Sequence, residues 1–162
     1  MHEVLIFQML MLLAVANGVP VAAKLILGDR FAYPLDGGTV LADGQPLFGR
    51  SKTVRGVVLG VLASIVASLL LGLDWTVGAL VGGVALASDL LSSFIKRRLG
   101  LAPSSMALGL DQIPESLFPL LAARLLLPLS ALDIVIAVLL FFVGELLLSR
   151  ILFRFHLRDR PY

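Results

Sequence analysis

The sequence predicts an all-α integral membrane protein with about five transmembrane helices. Of its 162 residues, 59% are hydrophobic and only 15% are charged. The mean hydropathy is +1.00, far from the composition of soluble globular domains. Because a helix needs about 20 apolar residues to cross a bilayer, the chain has room for about four to six spans. It is therefore expected to form a single transmembrane domain without a separate soluble part.

Five apolar runs are the candidate spans. Asn17 and Pro20 interrupt the first run, so its helix is expected to kink or break there. Two polar segments, at about 28–53 and 96–114, separate the runs and are interpreted as loops. The predicted spans cover about 4–27, 54–73, 77–95, 115–129 and 132–153.

The cationic residues lie almost entirely on one side of these spans. Twelve of the thirteen Lys and Arg residues fall in or beside the two loops and the C-terminal tail, and only Arg124 lies within a span. Positive residues resist translocation, so these segments are expected to be cytoplasmic. This predicts a multi-pass protein of the cell membrane with an outside N-terminus, a cytoplasmic C-terminus and a functional site on the cytoplasmic side.

Residues that the chain lacks exclude several kinds of site. There is no cysteine, which excludes disulfides, thiolate metal sites and a cysteine nucleophile. The two histidines, His2 and His156, stand near the termini, so a histidine-based metal site or catalytic triad is not expected. We expect no nucleic-acid partner.

Acidic residues and clustered cations meet in the polar segments of the predicted cytoplasmic face. Asp89 and Asp111 could hold Mg²⁺ through carboxylate oxygens, while Lys and Arg neutralise phosphate charge. Asp89 is costly inside an apolar run unless something compensates its charge. Ser92, Ser93 and Lys96 follow it on the same helix face. This combination suits a metal-bound polyphosphate.

Plainer interpretations stand beside this one. The cluster Lys96–Arg98 at a helix end is by itself more often a topology anchor or an anionic-lipid contact, and the stretch 34–38 alone could be a tight turn. Arg124 and Glu145 are the remaining charges within spans and have similar predicted depths. A buried ion pair between spans four and five is favoured for them over a catalytic role.

Glycines at small-xxx-small spacing occur in the second and third spans. They are Gly56 and Gly60, and Gly78 and Gly82. Close helix packing inside one subunit explains this spacing. The pattern allows a homodimer but does not establish one.

Three ordered motifs resemble the CDP-archaeol synthase family. They read F-G-R-S-K-T-V-R-G at 48–56, S-D-L-L-S-S-F-I-K-R-R-L-G at 88–100 and L-D-Q at 110–112. Further matches at 34–36, 43–44 and 157–162 extend the resemblance over nearly the whole chain. Members of that family are five-span, Mg²⁺-dependent enzymes that transfer a cytidylyl group from CTP to the phosphate of an archaeal ether lipid. They are related to the phosphatidate cytidylyltransferases.

The resemblance implies a role for each matching residue. Asp89 and Asp111 are expected to bind Mg²⁺ and to act in catalysis together with Lys96. Asn17 and Pro20 match an Asn-x-x-Pro pattern in the family's first span and are expected to shape the cleft through which a lipid head group enters. The residues expected to bind CTP or phosphate are Asp36, Lys52, Arg55, Ser92, Ser93, Lys96, Arg97 and Arg98.

The chain departs from the family's pattern at several positions. Archaeal members usually read D-Q-L-D, whereas this chain reads D-Q-I-P-E at 111–115. The second acid is therefore missing or supplied by Glu115, and the roles of Gln112 and Glu115 stay open. Ser88 replaces a usual glycine, and 103–105 reads P-S-S where a glycine is expected. The lipid substrate is thus an archaeal-type ether lipid phosphate or another lipid phosphomonoester, as in a bacterial-type branch.

Two other classes of function fit part of the sequence. A small transporter or channel would explain the intramembrane charges at Asp89, Arg124 and Glu145 and an interrupted first span. It would not explain why the polar segments collect on one face, or why the two halves show no inverted repeat. An inactive homologue that acts as a membrane scaffold would fit the altered acid after Asp111.

Overall fold

The protein folds as five α-helices in the computed structural model, which describes residues 2–101 and 107–154. The matches at 157–162 and the departure at 103–105 lie outside these residues. Within the described part, extended pairing is limited to two isolated β-bridges, both between residues 34 and 53. The predicted all-α class with five helices is confirmed. The helices are α1 (Glu3–Leu27), α2 (Val54–Leu70), α3 (Trp75–Arg98), α4 (Gln112–Ala123) and α5 (Ala131–Arg154).

Three helices are long and apolar enough to cross a membrane, namely Glu3–Leu27, Trp75–Arg98 and Ala131–Ile151. Helix α2 is a shorter apolar helix of 17 residues, and α4 has 12 residues. Large apolar side chains cover the outward faces, as at Leu139 and Val143 of α5, which are more than half exposed. Such a surface suits lipid and not water. Which end of the bundle faces the cytoplasm stays a prediction.

Helix α1 is continuous through Asn17 and Pro20, so the predicted break is absent. A membrane helix tolerates an internal proline where neighbouring helices, polar side chains or local adjustments satisfy the freed backbone group. Helix α2 also packs closely beside this turn. A Cβ atom added to Gly56 would lie 3.3 Å from Cβ of Pro20.

Helix α4 begins and ends earlier than the predicted span 115–129. After Ala123 the backbone tightens, with Leu125 N donating to Ala122 O at 3.0 Å. Pro128 then follows, which has no N–H and disfavours helical geometry in the residue before it. Arg124 consequently lies at the C-terminal cap of the helix and not inside a span.

Small residues bring α2 and α3 into close contact. The buried residues of α2 are Gly56, Gly60, Ser64 and Ser68. A Cβ atom added to Gly78 would lie 2.3 Å from Ser64 O, and one added to Gly82 would lie 2.6 Å from Ser64 Cβ. The glycines of α3 are thus used within the subunit, and a homodimer stays a prediction.

The apolar core lies between α1, α3, α4 and α5. Its fully buried members include Met9, Leu12, Leu13, Val81, Ala85 and Leu120. Helix α3 packs against α1, α2 and α4. This central position places Asp89 of α3 where it can meet side chains from several elements.

The α1–α2 loop has a hydrogen-bonded structure of its own. Leu35 N donates to Lys52 O at 2.8 Å, so the two ends of the loop run side by side. The carboxylate of Asp36 accepts the backbone N–H groups of Gly38, Phe48 and Gly49 at 2.9–3.0 Å. Partial burial acts to raise the pKa of Asp36, but these backbone hydrogen bonds outweigh it and hold the pKa below its ordinary value. The loop therefore fixes the position from which Lys52 projects.

Candidate active site

An ion pair between Lys52 and Asp89 joins the α1–α2 loop to α3. Lys52 Nζ lies 2.5 Å from Asp89 Oδ1 and also donates to Oδ2. About a quarter of each side chain is exposed. The intramembrane charge of Asp89 is thus compensated by a cation from the loop, which is the condition for an acid to persist in an apolar segment.

A second ion pair, between Lys96 and Asp111, joins the end of α3 to the start of α4. Lys96 Nζ lies 2.7 Å from Asp111 Oδ1, and both side chains are about nine-tenths buried. Asp111 Oδ2 also accepts the backbone N–H of Ala107 at 3.0 Å. The guanidinium of Arg97, 2% exposed, interacts electrostatically with Asp111. Buried Lys and Arg are rare without such partners, so this end of α3 concentrates positive charge inside the protein.

Glu115 connects the two ion pairs. It lies one helical turn after Asp111 on α4, it is 6% exposed, and its carboxyl group lies beside the carboxyl group of Asp89. Lys52 and Glu145 are the other charged groups that act on Glu115. Three helices and one loop therefore direct charged groups into one region.

Polar side chains complete the walls of this region. Ser92 Oγ donates to Leu110 O at 2.8 Å, which ties α3 to the segment before Asp111. Ser93 is buried on the same helix. Gln112 is fully buried, and its Oε1 accepts Gly109 N at 2.9 Å. Its Nε2 has no hydrogen-bond partner in the described part of the chain, so one donor in the wall is left for a ligand or a water molecule.

This arrangement occurs in a chain that resembles known proteins along its whole length. The model of the CarS-like CDP-archaeol synthase family matches residues 1–76 and 68–162. The chain belongs to the CDP-archaeol synthase family. The resemblance predicted from the motifs is therefore confirmed.

Relatives and a solved structure agree with this family. A CDP-archaeol synthase of Thermofilum pendens is 33% identical over 91% of this chain and 76% of its own length. The CDP-archaeol synthase of Pyrococcus furiosus is 40% identical over 60% of each chain, and that of Methanopyrus kandleri is 42% identical over about half of each. A solved intramembrane enzyme for archaeal membrane lipids biosynthesis matches 86% of this chain and 91% of its own chain, with a TM-score of 0.68 at 29% identity.

In this member of the CDP-archaeol synthase family, Arg98 binds the α1–α2 loop. Its guanidinium donates to both carboxylate oxygens of Asp43 at 2.7 Å and to Pro46 O at 2.6 Å. It also stacks over the ring of Phe94, 5.3 Å from the centroid. These contacts dock the loop on the end of α3. A role for Arg98 in binding phosphate stays a prediction.

Arg55 and Asp36 also hold the loop in shape. Arg55 donates to the backbone oxygens of Arg30 and Gly28, which closes the loop against its own start. Asp36 organises the turn described above. Both residues hold the loop that carries Lys52 into the site. Their direct contact with CTP or phosphate stays a prediction.

Asn17 and Pro20 lie where α1 meets α2. Pro20 packs against Gly56, and Asn17 Nδ2 is buried without a partner among the described residues. Neither side chain hydrogen-bonds Asp89 or Asp111 in that part of the chain. Their role in a lipid cleft stays a prediction.

The interpretation of Arg124 and Glu145 as a buried pair is wrong. Arg124 is exposed at the end of α4 and forms no ion pair with Glu145 among the described residues. Glu145 instead acts on Glu115. The error came from the predicted span 115–129, which placed Arg124 at the wrong depth.

The position of Glu145 is the feature of the site that sequence reasoning missed. Glu145 follows the start of α5 by about 21 Å of helix, so it returns to the level at which α4 begins. Correct ends for α4 would have placed it beside Glu115. The sequence pattern did not supply the C-terminal end of α4, because the turn before Pro128 is itself apolar.

Proposed function

We propose that this protein transfers a cytidylyl group from CTP to a lipid phosphate and releases a CDP-lipid and pyrophosphate. The arrangement that supports it most is the pair of contacts Lys52–Asp89 and Lys96–Asp111, joined through Glu115. Cations and carboxylates in one partly enclosed region suit a polyphosphate and its counter-ion. The curated relatives, which are CDP-archaeol synthases, point to the same class of product.

In the proposed reaction, an oxygen of the lipid phosphate attacks the α-phosphorus of CTP. A new P–O bond forms there, and the bond to the β-phosphate oxygen breaks, so that pyrophosphate leaves with the electron pair. No nucleophile from the protein is needed. The contribution of Lys52, Lys96 and Arg97 is to hold the two anionic reactants together, to reduce their repulsion and to stabilise charge on the leaving group.

Mg²⁺ is the proposed cofactor, with Asp89 and Asp111 as its ligands and Glu115 beside them. Among residues 2–101 and 107–154, no three acidic or histidine side chains form a metal-binding group. This donor set still fits Mg²⁺, which usually takes one or two protein carboxylates and fills its other positions with waters and phosphate oxygens. When bound, the ion would neutralise charge on the triphosphate.

The proposed acceptor is an archaeal-type ether lipid phosphate, with other lipid phosphomonoesters as the alternative. The site is proposed to face the cytoplasm, because the α1–α2 loop, the end of α3 and the C-terminal tail, with the residues beside them, hold twelve of the thirteen Lys and Arg residues.

One assay tests the function and its residues together. Purified protein in detergent is incubated with Mg²⁺, radiolabelled CTP and a panel of lipid phosphates, and labelled CDP-lipid is measured. We expect product with the wild type and none with Asp89→Asn or Asp111→Asn, although both variants fold. Near-normal incorporation of CTP into lipid by either variant would contradict the assignment of these residues. A wild type that binds CTP but forms no CDP-lipid would instead support the scaffold alternative.

A further inference from the structure

An open apolar groove of about 270 Å³ runs along α3, with Phe118 of α4 on its other side. Its lining residues are Gly83, Val84, Ala87, Ser88, Leu91 and Phe118. Ser88 is the only polar member, and its hydroxyl donates to Val84 O at 2.7 Å within its own helix. The groove therefore offers an almost entirely apolar wall.

The groove is continuous with the candidate active site. Ser88 directly precedes Asp89 on α3, and Phe118 lies one helical turn after Glu115 on α4. The carboxyl groups of Asp89 and Glu115 lie side by side, so the groove adjoins the polar region through Ser88 on one wall and Phe118 on the other. From Leu91 to Gly83 the groove follows about 12 Å of α3, and it extends deeper into the bundle than the level of Asp89.

Gly83 has no role in packing that the structure reveals. A Cβ atom added to Gly78 or Gly82 would collide with Ser64, whereas one added to Gly83 would meet nothing within 4 Å. Glycine in a helix interior is less favourable than alanine. The absence of a side chain at Gly83 instead keeps one end of the groove open.

We propose that this groove holds a hydrocarbon chain of the lipid phosphate substrate. This inference rests on the proposed function and adds to it the path of the acceptor. A lipid phosphate is anionic at one end and apolar at the other. With its phosphate at Lys52 and Lys96, its chain has to leave the polar region, and the groove includes Ser88, which directly precedes Asp89.

A second apolar groove provides a matched control. It lies between α1 and α2, is larger at about 380 Å³, and includes Val15, Leu59 and Ala63 in its lining. None of the proposed catalytic or phosphate-binding residues lines either groove, but the α3–α4 groove includes Ser88 next to Asp89, whereas the α1–α2 groove includes Val15 and Val19 on either side of Asn17. Size alone therefore does not single out the α3–α4 groove, and the two grooves differ in their continuity with the site.

The kinetic test compares Gly83→Leu with Ala63→Leu, using long-chain and short-chain lipid phosphates. Because Leu at 83 fills the groove, we expect kcat/KM for the long-chain acceptor to fall about tenfold or more, with CTP affinity unchanged. The short-chain acceptor should be affected less, and Gly83→Ala should give a smaller loss. Ala63→Leu should resemble the wild type. Thermal melting of each variant checks that it folds.

A labelling test does not depend on turnover. A long-chain lipid phosphate with a photoreactive group on its chain should label peptides containing Gly83 or Phe118, and Gly83→Leu should abolish that labelling. Unchanged kinetics in Gly83→Leu would overturn the inference, and so would labelling of the α1–α2 groove instead. Either result would mean that bulk lipid occupies the α3–α4 groove. A change of oligomeric mass in Gly83→Leu without a kinetic effect would assign the groove to a second copy of the chain and would also overturn it. Failure of the proposed function is distinguishable, because then the wild type forms no CDP-lipid from any acceptor.

Discussion

The two ends of the helix bundle both bury carboxylates, but they satisfy them in different ways. Where α1 and α5 begin, Asp133 accepts the backbone N–H groups of His2 at 3.0 Å and Ser130 at 2.9 Å, and the hydroxyl of Ser130 at 2.7 Å. The ring of His2 lies 2.9 Å from its second oxygen. At the other end, Asp89 and Asp111 each face a lysine from another part of the chain.

The difference separates a structural carboxylate from carboxylates suited to binding. Asp133 is surrounded by hydrogen-bond donors that belong to the starts of two helices, so its contacts serve to join those helices. Around Asp89 and Asp111 there are buried cations, a third carboxyl group at Glu115 and, at Gln112, an amide donor without a partner among the described residues. Charged groups in such surroundings mark functional sites more often than structural ones.

Among the changes that compare the two ends, the largest effect is expected from removing a cation at the charged end. Lys96→Gln should lower kcat/KM for CDP-lipid formation by about 10²- to 10³-fold, because it removes a charge that is proposed to stabilise the phosphates. Lys24→Gln, at an exposed position on α1, is the matched control and should leave turnover unchanged. Steady-state kinetics with varied CTP measure both. Equal activity of the two variants would contradict the proposal that the charged end of the bundle binds the phosphates.

A substitution at the opposite end, where α1 and α5 begin, should lower stability and leave turnover unchanged. Asp133→Asn turns one acceptor oxygen into a donor that faces other donors, so we expect a loss of about 1–3 kcal/mol in stability. Thermal melting in detergent measures the loss, and the same preparations are assayed for CDP-lipid. Turnover per folded molecule should match the wild type. A drop as large as that of Lys96→Gln would show that both ends take part in the reaction.

The smallest effect is expected in the loop that positions Lys52. The pKa of Asp36 is lowered on folding, so its carboxylate stabilises the loop at neutral pH, and this stabilisation is lost as the pH falls through the lowered pKa. Wild type should therefore melt slightly above Asp36→Asn at neutral pH, and the gap should close in acid. Melting curves across that range test this. A gap that persists in acid would mean that the charge of Asp36 does not matter.

The sequence was sufficient for the fold class because a helix needs about 20 apolar residues to cross a bilayer. Runs of that length can be recognised directly from the sequence. It also indicated Asp89, since an acid within an apolar run is costly, and Asp111, as a carboxylate in a polar segment that also carries clustered cations. It was less informative about helix ends. The short helix α4 stops at a turn before Pro128, and without that knowledge the depths of Arg124 and Glu145 could not be compared.

Contacts made by irregular segments were also beyond the sequence. The projection of Lys52 toward Asp89 depends on the hydrogen bonds of the α1–α2 loop, which has no helical or strand period to read. The contact between Glu115 and Asp89 depends on how α3 and α4 pack. The expected break at Pro20 failed for a related reason, because the surroundings of a proline decide whether a membrane helix continues through it.

The two lysine–carboxylate ion pairs have a consequence for selectivity. A single small anion that approaches Lys52 or Lys96 must compete with a carboxylate that is already in place. A polyanion that carries its own divalent cation could replace both partners at once. The lysines would then bind phosphate oxygens, and the carboxylates would bind the cation. After such an exchange, each lysine and each carboxylate would again have a partner of opposite charge. The resting ion pairs would thus discriminate against stray phosphate in the cell while admitting a metal-bound nucleotide.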